Sequence, residues 1–369
     1  MKYGLVLAGG GVRGAYHIGV WKALRELEFD ITAVVGSSIG AVNGALIAQD
    51  DYELAKQTWE NIEIGDIVKL PPKMKERSNL FGIKNIADII TEIRKHDGLD
   101  MSPFEELLKQ IIDENKIRNS SIDFGISTFS ITKKNAVYKF KEDIPEGEII
   151  KYLMASASLP GFKSAEIDSD KFMDGGVTNN MPINMLLDKG VDNIITVDIR
   201  GTGIYRNFNL AGKNVINIRY EEPKMGMMEF ERDCIIKSMK EGYLECMKAL
   251  GYLEGKIYSF KTEDYRAMRG IYSKELIEGL EYAARVYDID ETKIYSVKEL
   301  IEMVMKEYSK YSGEGNIGKK LKGADDNTFV AWLVKVLEKG KSDFIKEKLS
   351  ALGTNYDAAS AILYFKRKK

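Results

Sequence analysis

The fold is decided by one stretch near the start of the chain, GLVLAGGGVRGAYHIGVWKALRELEFDITAVVGSSIGAVNGALIA, Gly4 to Ala48. Gly4–Ala8 is a short apolar run of the kind that forms a strand buried on both faces. Glycines follow, and from Ala15 to Glu28 the apolar positions take a helical spacing. A second β-branched run, Ile31 to Gly36, leads through serines into a small-residue helix from Ile39 to Gln49. Strand, glycine turn and helix, repeated, predict parallel βαβ units and an α/β fold.

The alternation continues. Ser102-Pro103-Phe104-Glu105 has the form of a capping box with an early proline, predicting a helix to about Arg118. Strands are expected at 123–132 and 136–140, on either side of Asp174, and at 193–199, with a helix near 148–157. Gly65 to Gly82, with Pro71-Pro72, reads as a loop or flap. Beyond about Pro223 the pattern changes to long Lys/Glu-rich helical stretches at 229–250, 273–286, 297–311 and 327–337. The expected organisation is therefore an α/β domain over 1–222 and a mainly helical region over 223–369.

Composition removes several function classes. Lys+Arg total 54 against 56 Asp+Glu, a net charge of −2, so the basic excess of a nucleic-acid binder is missing. Two cysteines, Cys234 and Cys246, cannot build a disulfide scaffold, and no CxxC or HExxH spacing offers a metal site. The apolar run after Lys2 is too short for a secretory signal, and Val34–Ala48 is broken by Ser37, Ser38 and Asn43, too short to span a bilayer. The expectation is a cytoplasmic protein without metal or organic cofactor, with peripheral contact to a membrane left open.

Three motifs carry chemistry. Gly9-Gly10-Gly11-Val12-Arg13-Gly14 fits the dinucleotide fingerprint GxGxxG, but that fold needs an acid at the end of the second strand, where Gly36-Ser37-Ser38 stands instead. What survives is a turn whose successive N–H groups, at a helix start, cradle an anion. Gly36-Ser37-Ser38-Ile39-Gly40 matches GxSxG, which sets a nucleophilic serine on a tight strand-to-helix turn. Ser38 could equally serve as a plain helix N-cap, a role compatible with catalysis.

A nucleophilic serine needs a base, and the chain has two histidines, His17 and His96. No histidine follows position 96, so the order serine, acid, histidine is impossible. His17, early in the first helix, fits a structural role or a second candidate base, and His96 a solvated surface. Phe172-Met173-Asp174-Gly175-Gly176 offers another base: an aspartate leaving a strand into two glycines can approach a second turn closely. Burial beside the serine would raise its pKa and strengthen it. Read alone, Asp174-Gly175-Gly176 is also an ordinary β-turn.

Taken together the three motifs resemble the patatin-like phospholipase family, from Gly4 to about Arg200, including Ala155-Ser156-Ala157-Ser158-Leu159-Pro160-Gly161 and Asp174 through Pro182. The resemblance implies a three-layer α/β/α fold with a mostly parallel sheet. It also implies hydrolysis of acyl esters in lipids, of phospholipase A or lysophospholipase type, by a Ser38–Asp174 dyad. It makes the glycine loop, Gly9 to Gly11 with Arg13 and Gly14, an oxyanion hole, with the N–H groups of Gly10, Gly11 and Arg13 as donors. Gly36 and Gly40 shape the nucleophile turn, and Gly175 and Gly176 complete the base motif. The Arg13 side chain would steady the loop or meet a headgroup phosphate. The rival is a non-catalytic lipid- or partner-binding protein on the same fold. Met225, Met227, Met228 and Phe230 could pack as core or meet acyl chains, and Pro71–Phe81 is a lid candidate. Lys366-Arg367-Lys368-Lys369 could touch anionic lipid or be solvated.

Overall fold

A computed structural model describes residues 1–69, 98–312, 325–339 and 351–368. His96, the Pro71–Phe81 segment and Lys369 lie outside these. The described chain divides into two compact units, Met1–Ala249 and Leu250–Lys369.

In the first unit, β1 (Lys2–Leu7), β2 (Asp30–Ser37), α1 (Ala15–Glu26) and α2 (Ile39–Ala48) occupy the positions the opening stretch predicts. β1 pairs in parallel with β2 and with β7 (Asn193–Asp198), and β2 pairs in parallel with β3 (Asp123–Ser130). The central strand order is β5-β6-β3-β2-β1-β7-β8, where β5 is Ala165–Ile167, β6 Asp170–Asp174 and β8 Asn214–Arg219, with β4 (Asn135–Phe140) also on β3. β4 and β6 each pair antiparallel with β3, β5 pairs antiparallel with β6, and the other pairings of the sheet are parallel.

Strand alternation produces the layers. Val35 and Ala33 share a core with Ile183, Met185 and Leu186 of α7 (Ile183–Asp188), whereas Val34 and Phe124 face Gly44 of α2. Helices therefore cover both faces, the three-layer α/β/α arrangement. Every residue of α2 is buried, the mark of a helix enclosed on all sides.

Four details differ from the sequence reading. The helix expected over 102–118 is two, α4 (Ser102–Ile111) and α5 (Glu114–Asn119), because the Asp113 side chain accepts the Lys116 N–H and restarts the helix. Ser102 does not cap α4; it is the first helical residue, and its N–H donates to Asp100 Oδ1. The edge strand β8 was not foreseen. α8 (Arg232–Ala249), read as part of the second region, belongs to the first compact unit. It lies against α1, where a Cβ added at Gly19 would stand 1.8 Å from Met239 O and one at Gly242 2.1 Å from Tyr16 O.

The second unit contains the expected helices 274–286, 297–311 and 326–338, and adds a helix at Thr354–Lys368 and a three-stranded sheet of very short strands. Its core gathers Tyr258, Phe260, Leu300 and Ile362. No described helix is long and apolar enough to cross a membrane.

The α1–α8 contact yields a test. Gly→Ala in an exposed helix interior stabilises by up to about 1 kcal/mol. Here Gly19→Ala and Gly242→Ala should instead lower the stability by about 1–3 kcal/mol through overpacking. Thermal unfolding decides, and a raised Tm would contradict the packing.

Candidate active site

Ser38 sits where β2 turns into α2, with φ 56°, the left-handed region that a side chain occupies at a cost. The turn closes this tightly because its neighbours lack side chains. A Cβ at Gly36 would stand 2.3 Å from Gly40 O, and one at Gly40 2.2 Å from Leu7 O. The Ser38 N–H donates to Ser156 Oγ at 2.8 Å. Ser38 is 6% exposed.

Asp174 reaches the same place through sheet register. Ser37 pairs with Ser127 of β3, and Asp174 pairs with the next residue, Thr128. β4 covers the other edge of β3 as far as Ser130, so β2 and β6 share one edge and meet end to end. Gly175 fits there because a Cβ would stand 2.3 Å from Ser127 O. Asp174 Oδ1 accepts the Gly176 N–H at 2.7 Å, and the Asp174 N–H donates to Ser158 O at 2.8 Å. Oδ2 is buried without a hydrogen-bond partner. Burial raises the Asp174 pKa to about 6, opposed by the adjoining Ser38 hydroxyl and the Gly176 N–H. The hydroxyl thus lies beside the carboxyl without full hydrogen-bond geometry, as unliganded sites often do.

The glycine loop passes the serine: a Cβ at Gly9 would stand 3.0 Å from Ser38 Cβ. Two loop amides are engaged, Gly9 N–H with Asn180 O at 3.2 Å and Val12 N–H with Met227 O at 2.9 Å. Among the described residues, no acceptor outside the loop takes the N–H of Gly10, Gly11 or Arg13. The Gly9 amide is therefore occupied. Gly11 has φ 60° and passes under Met227 O, 2.1 Å from an added Cβ, so no side chain fits. Gly14 acts through its carbonyl, which accepts from Asn43 Nδ2 at 2.9 Å. The Arg13 guanidinium donates to Met225 O and Arg200 O at 2.9 and 2.6 Å, so it braces the loop.

Several organising residues escaped the sequence reading. Asn180 Nδ2 donates to Gly9 O and to the Tyr205 hydroxyl, tying the loop after Asp174 to the glycine loop. Asn43 Nδ2 bonds Gly14 O and His17 Nδ1, and its Oδ1 accepts from Trp59 Nε1. Burial lowers the His17 pKa to about 3, so the ring stays neutral. The fully buried ring fits the structural alternative.

An apolar pocket reaches Ser38 and Gly11 and is lined further by Trp59, Phe104, Met228 and Phe230, with no charged side chain among the described residues that line it. The methionine cluster thus divides: Met225 is buried, Met227 O holds the glycine loop, and Met228 and Phe230 face the pocket. No group of three His, Cys, Asp or Glu among the described residues could hold a metal.

A serine on a strained strand-to-helix turn, a buried carboxyl beside it and a glycine loop with unengaged amides define a hydrolase-type α/β/α domain. Residues 5–187 match the family model for patatin-like phospholipase, and over those residues the chain is a patatin-like phospholipase domain. A patatin-like phospholipase domain-containing protein of Caenorhabditis elegans is 27% identical over 302 residues, 75% of this chain and 20% of that protein. A lysophospholipase, nte1, of Emericella nidulans is 28% identical over 200 residues, 53% of this chain and 12% of that one. Human patatin-like phospholipase domain-containing protein 6 is 27% identical over 199 residues, 53% and 13% of the two chains. The chain thus spans 12% to 20% of these relatives' lengths. Among solved structures, VipD from Legionella pneumophila aligns with a TM-score of 0.42 at 15% identity, covering 98% of this chain and 90% of that one.

The raised Asp174 pKa has two consequences. A carboxylate base works only when ionised, so if Asp174 serves as one, kcat/KM of ester hydrolysis should fall as pH drops through about 6. The native state also holds this proton more tightly than the unfolded chain, whose aspartate titrates near 3.8. The resulting cost to stability is absent below about 3.8 and complete above about 6. Asp174→Asn should therefore stabilise the fold at pH 8 by on the order of 1–3 kcal/mol, a gap that closes by pH 4. Denaturant titrations at the two pH values check the sign.

Proposed function

We propose that the chain is a serine lipid acyl hydrolase of phospholipase A or lysophospholipase type. The observation that carries this reading is the single edge of β3 on which the strands leading to Ser38 and Asp174 abut. Ser38 Oγ attacks the acyl carbonyl carbon while Asp174 takes the hydroxyl proton. The carbonyl oxygen becomes an oxyanion that the Gly10, Gly11 and Arg13 N–H groups hold, each donor contributing about 10²–10³ in turnover. Collapse expels the alcohol, which receives the proton back from Asp174, and leaves an acyl-enzyme. Water then attacks the acyl-enzyme, giving one proton to Asp174, which passes it to Ser38 Oγ as the acyl–oxygen bond breaks and the fatty acid leaves. The uncharged pocket suits an acyl chain. A place in the cytoplasm, with peripheral access to membrane lipid, belongs to the same proposal.

Hydrolysis of short p-nitrophenyl esters and labelling by a fluorophosphonate probe test it. Ser38→Ala should abolish both. Asp174→Asn should cut turnover by about 10²–10⁴ while the protein stays folded. His17→Ala should keep most of the activity of the fraction that folds. The opposite pattern at positions 174 and 17 would transfer the base to His17. Wild type that neither labels nor hydrolyses would favour the non-catalytic binding protein.

A further inference from the structure

The Ala155–Gly161 stretch has so far no part in the chemistry, yet two of its residues touch both members of the proposed dyad. Ser156, fully buried at the end of α6 (Ile149–Ala157), accepts the Ser38 N–H on its Oγ at 2.8 Å. The same hydroxyl donates to Ser127 O at 2.7 Å. Two residues on, Ser158 O accepts the Asp174 N–H at 2.8 Å, and Ser158 Oγ donates to Met154 O, tying down the last turn of α6. Residues 156–158 therefore hold the backbone amide of the serine with a side chain and that of the aspartate with a carbonyl.

The contacts form a closed circuit. Ser127 precedes Thr128, the residue that pairs with Asp174. From Ser38 the path runs through the Ser156 hydroxyl to β3, across one strand pairing to Asp174, and back along Ser158 to Ser156. The Ser38 N–H needs this acceptor because it leaves β2 in a left-handed backbone conformation, where no ladder partner is available. We propose that Ser156 is a positioning residue for the nucleophile, its hydroxyl fixing the Ser38 turn against β3 and thereby setting the approach of the serine oxygen to Asp174. The inference rests on the dyad reading above and deepens it by giving that dyad its support.

The side chain at 156 is small and lies between Ala155 and Ala157, so replacing it by alanine removes one oxygen and little packing. A role confined to stability would change the amount of folded protein, whereas a positioning role changes turnover per competent site. The competent sites of wild type, Ser156→Ala, Ser156→Cys and Ser156→Thr are counted by fluorophosphonate titration to completion, and kcat and KM for a p-nitrophenyl ester are measured per site. Misplacement of a reacting group can cost about 10²-fold, and a loss of that order in kcat is expected for Ser156→Ala, with KM unchanged. Ser156→Thr, which keeps the hydroxyl, should recover most of it. If Ser156→Ala does not fold, Ser156→Cys, a weaker hydrogen-bonding group of similar shape, should show the same split to a smaller degree. Wild-type kcat per site in the alanine or cysteine variant, or a threonine variant as slow as alanine, overturns the inference while the hydrolase reading stands. An inert, unlabelled wild type overturns both.

Discussion

One edge of β3 carries two strands. β2 uses it as far as Ser127 and β6 takes over at Thr128, arriving from the opposite direction. Two chain segments separated by more than a hundred residues therefore end against each other, and the residues that leave those ends are Ser38 and Asp174. No flexible loop has to find its partner, because the hydrogen-bond ladder fixes the meeting point. Gly175 admits the approach, since any side chain there would strike the β3 backbone.

The same junction gathers local costs. Ser38 occupies a backbone region unfavourable to a residue with a side chain, and Asp174 is a carboxyl 2% exposed with one oxygen unpartnered. Neither would persist in isolation; the surrounding parallel sheet, the fully buried α2 and the α1–α8 contact over-determine the geometry. The distribution is physically consistent, with strain and desolvation concentrated where the serine and the carboxyl meet and ordinary packing elsewhere.

Much of this was legible in the residues. The opening βαβ unit followed from short apolar runs separated by glycines, and the serine and aspartate motifs announced themselves by the glycines that let their turns close. What escaped acts through the backbone across long separations. Nothing near Ser156 or Asn180 in the sequence reveals which distant amide or carbonyl each will meet. Nor does the glycine loop reveal in sequence that the Gly9 N–H is taken by Asn180 O, a contact set by tertiary register alone. Edge strand β8, with the half-polar sequence NVINIR, lacks the apolar run that marks a buried strand, and the two- and three-residue strands of the second unit are too short for any periodicity. The break at Asp113 is a local cap that helical spacing alone does not reveal. The first compact unit runs to Ala249, past the change of sequence pattern near 222, because α8 continues the Lys/Glu-rich pattern of the later helices while packing on α1.

In the proposed mechanism Ser38, Asp174 and the unengaged amides of the glycine loop converge on one reacting carbonyl. A crystal structure of the protein after reaction with a short alkyl fluorophosphonate examines that most directly. Phosphorus should be bonded to Ser38 Oγ, with its phosphoryl oxygen within hydrogen-bond distance of the Gly10, Gly11 and Arg13 N–H groups and Asp174 beside the serine oxygen. Phosphorus bonded to another residue, or a phosphoryl oxygen turned away from the loop, would contradict it.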